Sequence, residues 1–161
     1  MTPGARYTNV KLVHMKIAIL LISAFITASA SANDYIVLPE SSAKELLKPC
    51  SRNAPLYEGT FTPNKVEIAL LENNIIELLS LESNECCGHG KINGSISNYF
   101  RQYVGITVNS KKYIYINAGP KENSKLSSTL IFMCDGGKYY WGALYSISEK
   151  KFSHLAFNGG G

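Results

Sequence analysis

The chain has 161 residues and a mass of 17.7 kDa, the size of one ordinary domain. Its 16 Lys and Arg outnumber 12 Asp and Glu for a formal charge of +4, but Arg6, Lys11 and Lys16 precede residue 33, where no acid occurs, so residues 33–161 carry only +1. That balance argues against a nucleic-acid binder driven by global charge, and a hydrophobic content of 45% argues against wholesale disorder.

Residues 17–26 are an uncharged apolar run, with Lys16 just before it and the small residues Thr27-Ala28-Ser29-Ala30-Ser31-Ala32 just after it. Basic start, short apolar stretch and Ala-x-Ala ending are the parts of a secretory signal peptide. The run falls short of the ~20 apolar residues that a spanning helix needs. Residues 1–32 are therefore expected to be a signal peptide cleaved before Asn33, with 1–14 an upstream start extension ahead of Met15. Residues 33–161 are expected to form a single periplasmic or secreted domain. No cysteine follows the apolar run closely enough for a lipid anchor.

Ser42-Ala43-Lys44-Glu45 matches a capping box, Leu46 and Leu47 are apolar, and Pro49 stops the run, so 42–48 reads as a short helix. Pro49, Pro55, Gly59 and Pro63 make 49–63 a connecting loop. A long helix is predicted over 64–82, capped by Asn64, with Ile68, Leu71, Ile75, Leu78 and Leu79 on one face. From residue 98 the apolar period becomes two. Strands are predicted at 98–108, 113–117, 129–134, 139–147 and 152–157. They are separated by a three-residue turn at Asn109-Ser110-Lys111, a polar stretch, a tight turn at Asp135-Gly136-Gly137 and a turn at Ser148-Glu149-Lys150. Helices followed by hairpin-connected strands make the expected class α+β: one long helix, plus a short N-terminal one, on a five-stranded antiparallel meander. Phe100, Val104, Ile106, Val108, Ile114 and Ile116 are expected to meet the long helix.

An even cysteine count in an exported chain reads as disulfides among Cys50, Cys86, Cys87 and Cys134. A bond between adjacent Cys86 and Cys87 is strained, which favours bridges from Cys50 and Cys134 to that pair, or a direct Cys50–Cys134 bond. Cys86-Cys87-Gly88-His89 lacks the spacing of a structural zinc site, and Cys134-Asp135 with His89 or His154 is the weak alternative of a thiol nucleophile. No metal and no cofactor is expected. Asn93-Gly94-Ser95 is a glycosylation sequon, and the glycines around His89 lack the strand-to-helix setting of a phosphate loop.

The candidate binding residues are Tyr99, Arg101, Tyr103, Tyr113, Tyr115 and Trp141. The meander places them on the sheet face away from the long helix, and Tyr, Trp and Arg dominate binding hot spots. The opposing possibility is that the N-terminal segment covers this face, in which case Arg101 would need a carboxylate partner.

Phe100-Arg101-Gln102-Tyr103-Val104-Gly105, Tyr113-Ile114-Tyr115-Ile116-Asn117, Cys134-Asp135-Gly136-Gly137 with Trp141-Gly142, and Phe157-Asn158-Gly159 resemble a set of small exported bacterial proteins with no activity attached. The resemblance covers roughly 98–159 and implies a bacterial periplasm or exterior. The helix-plus-sheet order is also similar to cystatin-like folds and to periplasmic lysozyme or toxin inhibitors, at the level of architecture alone. The functional expectation is an exported binding protein, an inhibitor or immunity protein acting on a cell-envelope enzyme, with a protein or glycan as partner. The alternatives are a small thiol-dependent hydrolase and a ligand-carrying periplasmic domain.

Overall fold

The computed structural model describes Met1 and residues 33–48, 51–123 and 130–160. The expected signal peptide and Cys50 lie outside the described residues.

Six strands form one mixed sheet. Strand β1 is Tyr35–Val37, helix α1 is Ala43–Leu46, β2 is Gly59–Phe61 and helix α2 is Lys65–Asn74. A 3₁₀ segment, Ile75–Ser80, continues α2. Then come β3 (Tyr99–Val108), β4 (Lys111–Pro120), β5 (Trp141–Ser146) and β6 (Lys151–Phe157). The order is β1-β3-β4-β5-β6, with β2 also on β3. β1 runs parallel to β3 along 101–103, and β2 runs antiparallel to it along 105–107. The two short strands thus lie one after the other on the same side of β3.

This corrects the expected five-stranded antiparallel meander at three places. The N-terminal segment contributes β1, a parallel strand too short to show a period. The loop 49–63 contains β2. The described part of the apolar stretch 129–134 is not a strand, and β4 pairs directly with β5, from Tyr113 opposite Ser146 to Ala118 opposite Trp141. The apolar run there is a crossing segment instead: the Ile131 amide donates to Gln102 Oε1 at 2.9 Å, and its carbonyl accepts from Asn117 Nδ2 at 2.9 Å. Side chains on the sheet satisfy the backbone that a ladder would otherwise hold. Asp135-Gly136-Gly137 leads into a 3₁₀ turn, Gly137–Tyr139, rather than a hairpin.

The long helix begins where its cap predicts. Asn64 Oδ1 accepts from the Val66 and Glu67 amides at 2.9 and 3.0 Å, and Glu67 returns the bond to the Asn64 amide at 2.8 Å. Ile68, Leu71 and Leu78 are buried. The α-helical part stops at Asn74, whose side chain bonds the Leu70 carbonyl, and the last six residues tighten into 3₁₀ geometry.

The β3–β4 turn decides which side chains meet the helix. It is a two-residue turn: Val108 pairs with Lys111, and Asn109 and Ser110 take φ of 48° and 60°, as a type I′ turn requires. Glu58 accepts from both turn amides at 3.1 Å. The expected three-residue turn is one residue too long, and a one-residue slip moves a whole strand's side chains to the other face. Tyr103 therefore shares its face with Ile116, and Val104 shares its face with Tyr115.

Both faces are covered. Tyr99, Tyr103, Ile114, Ile116, Trp141 and Tyr145 pack with Ile68, Leu71 and Leu78. Val104, Ile106, Tyr115 and Leu144 pack with Leu38, Ala43, Leu46 and Leu47 from the N-terminal segment. Each such large side chain withdrawn from water stabilises the fold by about 1.5–3 kcal/mol. At the free edge, β6 bulges opposite Ala143, with His154 at φ 52°; a bulge of this kind blunts an edge against pairing with other chains.

Candidate functional site

The structure divides the six aromatic and Arg candidates between the two faces. Tyr99, Arg101, Tyr103 and Trp141 lie on the α2 side and are buried; Tyr115 is buried on the α1 side and Tyr113 is half-buried there. The turn register explains the division. Within this chain they build the core, and they form no open face.

Arg101 has the carboxylate partner that burial demands. Its Nη2 is 3.1 Å from Glu72 Oε2 on α2, its Nε donates to Tyr103 Oη at 2.8 Å, and its Nη1 donates to the Ile96 and Tyr99 carbonyls. Tyr103 Oη in turn donates to Glu72 Oε1. This triad ties α2 to β3. Burial pushes the Tyr103 phenol well above its ordinary value of 10.0; Arg101 opposes the rise and Glu72 adds to it. The folded protein therefore keeps this proton after the unfolded chain has lost it. Its contribution to stability is full below about pH 10 and is lost as pH rises above that. Urea midpoints measured from about pH 8 to about pH 11 should fall, and should fall less steeply in Tyr103→Phe. Identical slopes would show that Tyr103 does not carry the alkaline loss.

A second buried polar group lies on the opposite face and is built differently. Arg52 is 9% exposed. Its Nε donates to Tyr115 Oη at 3.2 Å, its Nη1 donates to Asn158 Oδ1 at 2.9 Å, and its Nη2 donates to Asn117 Oδ1. Every acceptor is neutral. Among the described residues no carboxylate lies within ion-pair distance of Arg52. A guanidinium carries five N–H groups; three are engaged among the described residues, which leaves one on each terminal nitrogen as a donor for a further acceptor.

The acceptors are themselves fixed. Asn117 Nδ2 donates to Gln102 Oε1 at 3.2 Å and to the Ile131 carbonyl. Asn158 Nδ2 reaches the Met133 and Asp135 carbonyls, and Ser51 Oγ donates to the Cys134 carbonyl. A small cleft opens over this network, lined by Leu46, Lys48, Ser51, Arg52, Asn117, Ile131, Phe132, Met133, Tyr140 and Asn158. Its volume is about 20 Å³. Lys48 is exposed at its rim, as are Phe132 and Met133, at 54% and 47%.

Sequence reasoning passed over Arg52 because it lies in a stretch read as plain loop. A signal was present in β3. Gln102 shares the parity of Val104 and Ile106. An amide at an inward position calls for a buried polar partner.

The remaining candidates sit elsewhere. His154 Nδ1 pairs with Ser153 Oγ, and His89 is exposed. Cys86 is exposed and Cys87 half-buried, on a loop closed by the Ser83–Gly90 bridge. Among the described residues no group of three His, Cys, Asp or Glu side chains could hold a metal ion, and no helix is long and apolar enough to cross a membrane. No protein-family model, no curated protein and no solved structure matches the chain.

Proposed function

We propose that the chain is an exported binding protein, periplasmic or secreted, whose site is the Arg52 cleft and whose ligand presents a carboxylate. The carrying observation is Arg52 itself, a guanidinium nine-tenths buried, bonded among the described residues to neutral groups alone and bordering an open cleft. A buried charge without a counter-charge is costly, and an incoming carboxylate offsets that cost. Export is supported by the basic, apolar and small-residue succession ahead of Asn33.

Acetate is the simplest probe. At ~100 mM, a site with a dissociation constant of ~10 mM gains about 1.4 kcal/mol, which raises the midpoint of a domain this size by roughly 4 °C or more. The rise should be seen against chloride at equal ionic strength and should shrink in Lys48→Glu. Equal midpoints in acetate and chloride for the wild type would contradict the assignment.

Disulfides belong to the same proposal. The Ser51–Cys134 contact and the Asn53–Glu85 bond of 2.8 Å bring the neighbours of all four cysteines to one corner, beside Arg52. Two bridges closed there would anchor the loop carrying Arg52, at about 2–4 kcal/mol each. A peptide map of the exported protein without reductant should show linked cysteine peptides. Alkylation of all four thiols before reduction would refute it.

A further inference from the structure

We infer that the group entering the Arg52 cleft is a carboxylate of an acidic polypeptide segment, with the residues beside it resting on Phe132 and Met133. This inference rests on the carboxylate reading above and adds the class of partner. Size carries the first step. A volume of about 20 Å³ is close to what one water requires and far below the several hundred Å³ of a metabolite pocket. Only the tip of a ligand fits, so its body stays outside.

The surface that the body would meet is uneven in a specific way. Lys48 supplies a second positive charge at the mouth, and no ion pair holds it among the described residues. Next to it, Phe132 and Met133 leave about half of their area in water, although they adjoin a backbone pinned by Gln102, Asn117 and Asn158. Rigid backbone beneath an exposed aromatic and an adaptable thioether suits contact with protein side chains. A sugar acid is the competing occupant, since Ser51, Asn117 and Asn158 also line the cleft, but the exposed apolar pair favours a polypeptide. Two cations beside an apolar pair complement an Asp, a Glu or a chain-terminal carboxylate flanked by apolar residues.

The test uses a fluorescein-labelled heptapeptide with a central Leu-Glu-Leu, its Leu-Gln-Leu counterpart, acetate and N-acetylmuramic acid, each titrated onto the folded full-length mature protein. The acidic peptide should bind at least tenfold more tightly than acetate, and its Gln counterpart at least tenfold more weakly than the acidic peptide. Phe132→Ser and Met133→Ser, both at exposed positions, should weaken the peptide by a larger factor than they weaken acetate. If acetate binds and the peptide binds no better, the polypeptide assignment fails and the carboxylate site stands. If N-acetylmuramic acid binds more tightly than the peptide, the partner is a glycan and the inference is overturned. If neither acetate nor peptide binds, both readings fail together.

Discussion

Arg101→Ala is expected to cost about 3 kcal/mol of stability, the low end of the penalty for breaking a buried ion pair, because the Glu72 side chain keeps 22% of its exposure. Arg101 is 4% exposed, and its guanidinium bonds Glu72, Tyr103 and two carbonyls. Truncation leaves Glu72 with the Tyr103 hydroxyl and its partial solvent contact, and frees two backbone acceptors. For a domain of this size that is a large share of a total near 5–15 kcal/mol. Arg101→Lys should recover little, because an ammonium cannot reproduce the planar fork. Urea unfolding of the three proteins measures this. A variant as stable as the wild type would show that the triad is not what fastens α2 to β3. Any loss of ligand binding in Arg101→Ala would follow from loss of the fold, so that substitution cannot serve as a probe of a binding face.

Gly142→Ala is expected to damage the site from beneath. A Cβ at this position would stand 2.5 Å from Tyr115 Oη and 3.1 Å from Arg52 Nε. Tyr115 is 2% exposed and belongs to the buried cluster that holds Leu144 and Leu46, so its ring is confined. The phenol must move and Arg52 must move with it. Overpacking of this kind costs about 1–3 kcal/mol, and the displaced guanidinium should lose most of its affinity for acetate. Retained acetate binding in a folded Gly142→Ala protein would show that Tyr115 does not position Arg52.

The sequence made the helices and four of the six strands legible, because their apolar periods are long and their punctuation is strong. The Asn64–Glu67 cap is local chemistry and reads directly, while the β5–β6 turn lies where expected but is four residues long, 147–150, rather than three. Two failures share one cause, which is that a long-range partner decided the outcome. Whether Asn109-Ser110 or Asn109-Ser110-Lys111 forms the turn depends on the full ladder to Pro120, and that single residue moved Tyr103 to the helix side. Leu130 to Met133 has the composition of a central strand, yet Gln102 and Asn117 bond its backbone and β5 takes its place beside β4. Of the site, Gln102 was legible in principle, as an amide at the parity of Val104 and Ile106; Asn117 was not, because the expected register put it with Tyr113 and Tyr115 on the open face. Arg52 was not, since nothing in its own neighbourhood marks a loop cation as buried.

The most direct measurement is the side-chain ¹⁵N–¹H spectrum of the arginines during an acetate titration of the folded protein. The account predicts that one buried Nε–H resonance, assigned to Arg52 by its loss in Arg52→Gln, shifts saturably while that of Arg101 stays fixed. An Arg52 resonance that does not move, or moves equally with chloride, would contradict the claim that this guanidinium receives the ligand's carboxylate.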